Sequence, residues 1–197
     1  MNDFKTDKKE NFLNEENVEE INKLVVFAFN LFEVCAQAFS LVVLIFYFVF
    51  KTNVVEGDSM RNTLKNKDRL FVVNSFLKKP KAKDIVILNT FDILDNLIVK
   101  RIIATEGQKV DLRQQGDSFY VYINDSKLNE DYIKEPIDKE SVGVLKYPIV
   151  VPKGYVYVLG DNRNNSTDSR IMGLVNVEKI VGVCWFRILP IRSFRIF

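Results

Sequence analysis

The sequence predicts a mainly β protein: an N-terminal single transmembrane helix followed by an antiparallel β-sheet domain with an inserted arm. Three observations predict it. One long apolar run, residues 24–50, lies near the N-terminus. After Phe50 the chain breaks into short runs rich in Val, Ile, Tyr and Phe, set apart by Gly, Pro, Asn and Asp. Beyond the first run, no stretch sustains a 3.6-residue apolar period.

The elements follow in chain order. Residues 1–23 form a charged tail with seven acids and four lysines, expected to be loose or marginally helical. Residues 24–50 contain one charge, Glu33, and a bilayer-crossing helix needs about 20 apolar residues. Ala36-Gln37-Ala38 has the form of a signal-peptide cleavage site. The acidic tail and the apolar run's continuation for twelve residues past Ala38 favour a retained anchor over a cleaved leader or a buried soluble helix. Four lysines before the segment and five basic residues soon after it leave its orientation open. Residues 51–197 form the β-rich domain, with strands expected at 69–76, 84–90, 97–104, 118–124, 155–161 and 180–188. The breakers are Lys79-Pro80, Asp95-Asn96, Gly116-Asp117 and Pro152-Lys153-Gly154. Residues 125–150 are more polar and contain Pro136 and Pro148, which suggests an inserted arm or loop. The basic stretch Lys78–Lys83 reads as a solvated turn, with a lipid-headgroup contact as the lesser reading.

Composition narrows the chemistry. The chain has 197 residues, a net charge of +2, two cysteines and no histidine. The charge argues neither for nor against nucleic acid. Cys35 and Cys184 are too far apart in character and sequence to suggest a disulfide framework, and no metal-ligand cluster is expected. Without histidine, Ser-His and Cys-His mechanisms are excluded for this chain.

A serine nucleophile would then need another base. Glu56-Gly57-Asp58-Ser59-Met60 reads as a turn that presents Ser59. A free lysine, with a pKa near ~10.4, is useless as a base at neutral pH, and lowering it by about three units requires ~4 kcal/mol of bias toward the neutral form. Burial supplies such a bias. Lys100 alone among the lysines sits in an apolar strand pattern, on one face with Ile98 and Ile102. An edge-strand lysine reaching water fits the same pattern, and the pattern does not itself pair Lys100 with Ser59. The third polar element is Gly160–Arg170, GDNRNNSTDSR. It reads as a long turn or an ion-pair lattice. A calcium loop lacks the acid spacing, and an Asp161/Asp168 glycosidase pair lacks a sugar cleft to serve.

Taken together and in this order behind an anchor, EGDSM, VKRIIATEGQKV and GDNRNNSTDSR resemble the bacterial type I signal peptidases, membrane-bound serine/lysine endopeptidases. The resemblance covers about residues 40 to 190. It implies a β-sheet catalytic domain with Ser59 as nucleophile, Lys100 as general base and Ser166 as the hydroxyl that orients the lysine. It implies that Asp168, Arg170 and Arg101 support the site, that the Ser59 backbone N–H serves the oxyanion hole, and that Met60 and residues 70–73 line shallow substrate pockets. No cofactor, metal or nucleic acid is implied. The implied partners are membrane-tethered preproteins and the lipid bilayer, with the tail in the cytoplasm and the catalytic domain outside the cell membrane. Ser59 lies nine positions past Phe50, at most about 30 Å of extended chain, so the site stays near the bilayer. The sequence departs from the family at Asn62, where proline is usual, at Gly57, where some members have a second oxyanion serine, and at Asn164, where aspartate is common. A non-cleaving relative that binds exported polypeptides is the alternative.

Overall fold

The computed structural model describes residues 3–90, 92, 94 and 96–197, with side-chain surroundings for 20, 22–47, 49 and from 51 onward except at 91, 93 and 95. Met1, Asn2 and Asp95, one residue of an expected breaker, lie outside the described residues. The chain divides into two units, one ending at Phe48 and one spanning Val49–Phe197.

The first unit is a helix, α1, whose residues run Asp3–Val49. It begins in the charged tail rather than at residue 24. Within it, residues 22–47 are apolar enough to cross a membrane and bury none of that surface inside the protein. A run of Leu, Val, Phe and Ile left bare at this length suits lipid and not water.

The second unit is built on two antiparallel sheets. The larger orders its strands β1 (Phe50–Val54), β2 (Arg69–Asn74), β11 (Ile180–Leu189), β3 (Ile85–Asn89), β4 (Leu97–Thr105), β9 (Tyr155–Leu159) and β10 (Val175–Asn176), with β12 (Arg195–Ile196) on β11. The smaller orders β7 (Ser126–Lys127), β6 (Ser118–Ile123), β5 (Lys109–Gln115) and β8 (Ile149–Val150). β4 therefore lies inside the large sheet between β3 and β9, and its residues Lys100–Ala104 are all buried. The edge-strand reading of Lys100 fails for that reason.

Six strands escaped the sequence pattern: the two-residue β7, β8, β10 and β12, and two longer ones. β1 begins at Phe50, which reads as the last residue of the apolar run, and β5 has only Val110 and Leu112 buried among polar neighbours. Residues 125–150 are largely irregular, yet Ile137 is fully buried and pairs with Phe119 through an isolated bridge. Gly160–Arg170 leads from β9 into a one-turn helix, α2 (Ser169–Met172), capped by the Asp168 side chain.

Candidate active site

Three segments far apart in sequence meet at Ser59. The first is the turn 56–64, which closes through Arg61 N–H to Asp58 O and Leu64 N–H to Met60 O. It is pinned from below by Met60 and Leu64, which pack with Val55, Leu70, Val72, Ile85 and Ile87. Met60 is only 1% exposed. It thus anchors the turn to the core beneath it. Leu70 and Val72 are buried in the same cluster and Val73 is buried as well, which leaves Phe71, stacked on Phe186, as the one partly exposed residue of 70–73.

The turn's conformation depends on Asn62, which has φ +98°. Proline is locked near −65° and cannot adopt it. The Asn62 side chain instead donates to the carbonyls of Tyr132 (2.9 Å) and Ile133 (3.2 Å). Where a proline would stiffen the turn through its own ring, this chain ties the turn to a distant segment.

The second segment is β4. Lys100 pairs with Val86 across the sheet and is 3% exposed. Its Nζ donates to Ser59 Oγ at 2.7 Å. Burial pushes the amine down to about 8 from its ordinary 10.5. Asp168 and Asp161 pull the other way, and the Arg170 guanidinium assists the depression. Close to neutral pH the amine is therefore neutral in a useful fraction of molecules. Deprotonated, it accepts a proton across the contact through which it now donates.

The third segment, residues 160–170, holds the other two. Asn162 is buried; its backbone N–H donates to Ser59 O (2.9 Å) and its side-chain amide to Asp58 O (3.0 Å). A trans peptide sets its C=O and N–H on opposite sides. Fixing Asp58 O thus aims the Ser59 N–H away from Asn162, and among the described residues nothing accepts that N–H. Gly160 lies so close that a Cβ there would stand 2.5 Å from Ser59 O and nearer still to Ser166 Oγ.

Two buried ion pairs brace this arrangement. Arg101 grips Asp161 with both Nε (2.8 Å) and Nη2 (2.6 Å), and Thr63 Oγ1 donates to the same carboxylate, joining the nucleophile turn to β4. Arg101 also stacks over the Tyr132 ring, 4.0 Å from its centre. Arg170 grips Asp168 through Nε and Nη2, both at 2.8 Å, while the Gly160 N–H donates to Asp168. Each carboxylate is thus committed to an arginine, which leaves no free acid pair for glycoside chemistry. Arg163, also fully buried, pairs with Glu130. Among the described residues no cluster fit to hold a metal ion occurs.

Ser59, Lys100, Asp168, Arg170 and Arg101 thus converge. Ser166 is less settled: its Oγ is buried and has no hydrogen-bond partner. The lysine-orienting bond implied by resemblance is not formed in this structure, although Ser166 Oγ and Ser59 O both lie within 2.5 Å of where a Cβ on Gly160 would stand. Asn162, Thr63 and Tyr132 were not singled out by sequence as site residues, and Asp161 only in the glycosidase pair. The polarity of GDNRNNSTDSR signalled Asn162 and Asp161 without saying what each would hold, and nothing signalled Thr63 or Tyr132. A cleft of about 280 Å³ opens between Asn53 and Val54 of β1, Glu56, and Leu97 and Val99 of β4.

A family model described as signal peptidase, peptidase S26, matches residues 28–189. Signal peptidase I P of Bacillus subtilis subsp. natto is 39% identical over 155 residues, 74% of this chain and 80% of that protein. Thylakoidal processing peptidase 1, chloroplastic, of Arabidopsis thaliana is 38% identical over 148 residues, 69% of this chain but 41% of the plant protein. A crystal structure of a signal peptidase I from Enterococcus faecalis V583 aligns with a TM-score of 0.42 and 29% identity, over 54% of this chain and 97% of that one.

Proposed function

Since the chain belongs to the signal peptidase, peptidase S26, family, we propose that it is a membrane-anchored serine endopeptidase that removes N-terminal signal peptides from exported proteins after small residues. Ser59 is the nucleophile and Lys100 the general base. The observation that carries the assignment is the 2.7 Å contact between the Lys100 amine and Ser59 Oγ, with the amine's pKa lowered by burial to about 8.

The reaction follows from these groups. Neutral Lys100 takes the Ser59 hydroxyl proton as Oγ attacks the scissile carbonyl carbon. The carbonyl electron pair moves to oxygen, and the aimed Ser59 N–H stabilises the developing oxyanion. The Lys100 ammonium gives its proton to the leaving amine as the peptide C–N bond breaks. A water, deprotonated by the same amine, then attacks the acyl-enzyme and frees Ser59. The cleft between β1, Glu56 and β4 is the candidate seat for substrate side chains before the cut. The substrates are preproteins tethered to the membrane by their own apolar segments. The apolar helix 22–47 holds the enzyme in the same bilayer, with the tail in the cytoplasm and Val49–Phe197 outside.

The test uses purified full-length protein in detergent or lipid and a peptide carrying an A-x-A site. Cleavage after the second alanine is expected, with Ser59→Ala, Lys100→Ala and Lys100→Arg all inactive yet folded. Arginine fails because guanidinium does not lose its proton at working pH. A folded parent that binds the peptide without cutting it would favour the non-cleaving alternative, and an active Lys100→Ala would remove Lys100 from the mechanism.

A further inference from the structure

Five consecutive residues of the arm, 130–134, reach every segment that holds Ser59. They reach the nucleophile turn through Asn62, whose amide donates to the carbonyls of Tyr132 and Ile133. They reach β4 through Arg101, whose guanidinium lies over the Tyr132 ring. They reach the polar loop twice. Lys134 N–H donates to Asp161 O at 3.2 Å. Glu130 accepts from both terminal nitrogens of Arg163, one of them at 2.9 Å, while Arg163 Nε donates to Gly160 O at 3.0 Å. The Tyr132 hydroxyl donates to Glu130 at 3.0 Å, which joins these contacts into one network.

The tie at Asn62 falls where the turn is weakest. A residue with a Cβ is unfavourable at positive φ, and Asn62 sits at +98°. Thr63 and Leu64 on its C-terminal side are buried and fixed. Rotation about the Asn62 φ would therefore be taken up on the other side, where Ser59 lies three residues away. Serving two adjacent carbonyls from one nitrogen fixes the amide plane and opposes that rotation. The segment that receives it has no strand or helix of its own, so its free carbonyls can face the turn.

We propose that residues 130–134 are the positioning segment of the nucleophile, holding Ser59 in line with Lys100 through Asn62 and holding β4 and the polar loop in place through Arg101, Asp161 and Arg163. They act through the residues they hold and not on substrate. This deepens the Ser59/Lys100 reading and rests on it.

Asn62 is exposed, so its tie can be cut without opening the core, whereas Glu130→Gln would strand the buried Arg163. Asn62→Gly keeps positive φ accessible and removes both donations. In the full-length protein acting on an A-x-A peptide, its kcat should fall about 100-fold, the scale of a misaligned reacting group. KM, the melting temperature and the pH midpoint of kcat/KM should stay near the parent's. Asn62→Pro should do no better, because its ring forbids a φ of +98° and it too lacks the amide. Tyr132→Phe keeps the ring under Arg101 and should retain most of the rate, whereas Tyr132→Leu should lose about tenfold. Hydrogen exchange reads the tie without catalysis: amides 58–64 of Asn62→Gly should exchange severalfold faster than the parent's, with β3 and β11 unchanged. A parent-like kcat in Asn62→Gly or Asn62→Pro overturns the proposal. So does faster exchange throughout the β unit, or a pH midpoint moved upward, since either reports a loosened core that wets Lys100 and not a displaced Ser59. A parent that cuts nothing sinks the peptidase reading instead, and exchange at 58–64 then still decides whether the segment holds the turn.

Discussion

Lys100 carries a folding penalty for the sake of its reactivity. Its folded pKa, about 8, lies below its ordinary 10.5. Across that window the unfolded chain holds more protons than the folded one, so stability rises with pH between about 8 and 10.5 and is lowest below it. A difference of this size corresponds to about 3 kcal/mol at most. Lys100→Met should therefore raise the melting temperature at neutral pH, lose that advantage above pH 10.5, and abolish cleavage. A variant no more stable than the parent at pH 7 would show that the amine is not desolvated. For the parent, kcat/KM should climb about tenfold per unit below the pKa and level off above pH 8. Ser166 offers the opposite test. A buried hydroxyl left unpaired costs about 1–3 kcal/mol, so Ser166→Ala should leave stability equal or higher. If the hydroxyl turns to accept an N–H from the neutral amine during catalysis, the same variant should lose about 10- to 1000-fold in kcat with little change in KM. Unimpaired cleavage by Ser166→Ala would remove it from the site.

At the scale of elements, the polar loop acts as a strap across the nucleophile turn, and Asn162 is its buckle. Asn162→Ala adds no charge and keeps the backbone N–H but loses the amide donor to Asp58 O. We expect kcat to fall about 10- to 100-fold, with KM and the pH midpoint near the parent's, and the affinity of a peptide boronate to fall by the same factor. An unchanged kcat would mean that Arg61 N–H, which also donates to Asp58 O, suffices to hold the peptide. Much of this architecture could be read from sequence. Runs such as RLFVVNSF and LIVKRIIA are dense enough in β-branched and apolar residues to declare themselves strands, and Ser59 and Lys100 stood out once histidine was absent. β5 did not, since its outward face is charged and only Val110 and Leu112 mark the inner one. Asn162, Thr63 and Tyr132 did not either, because a side chain's partner is chosen by tertiary approach and not by its neighbours in the chain.

The whole molecule joins an apolar helix to a β unit, and the proposed orientation can be tested without measuring activity. In a background with Cys35→Ser and Cys184→Ala, a cysteine at the exposed turn residue Asp117 should react with a membrane-impermeant maleimide added outside intact cells, whereas one at Asp7 should react only after lysis. The reverse pattern would invert the topology. Gly160 has a consequence in time as well as in space. At this glycine the loop lies against Ser59 O and Ser166 so closely that no side chain fits. The strap cannot close until residues 160–170 exist, about a hundred positions after the nucleophile. Synthesis proceeds from the N-terminus and long-range β pairing is slow. A ribosome-bound chain with its helix already in the bilayer thus carries Ser59 with no aimed amide and no braced lysine. The enzyme would thus be born latent, with its own last fifth as the activation step.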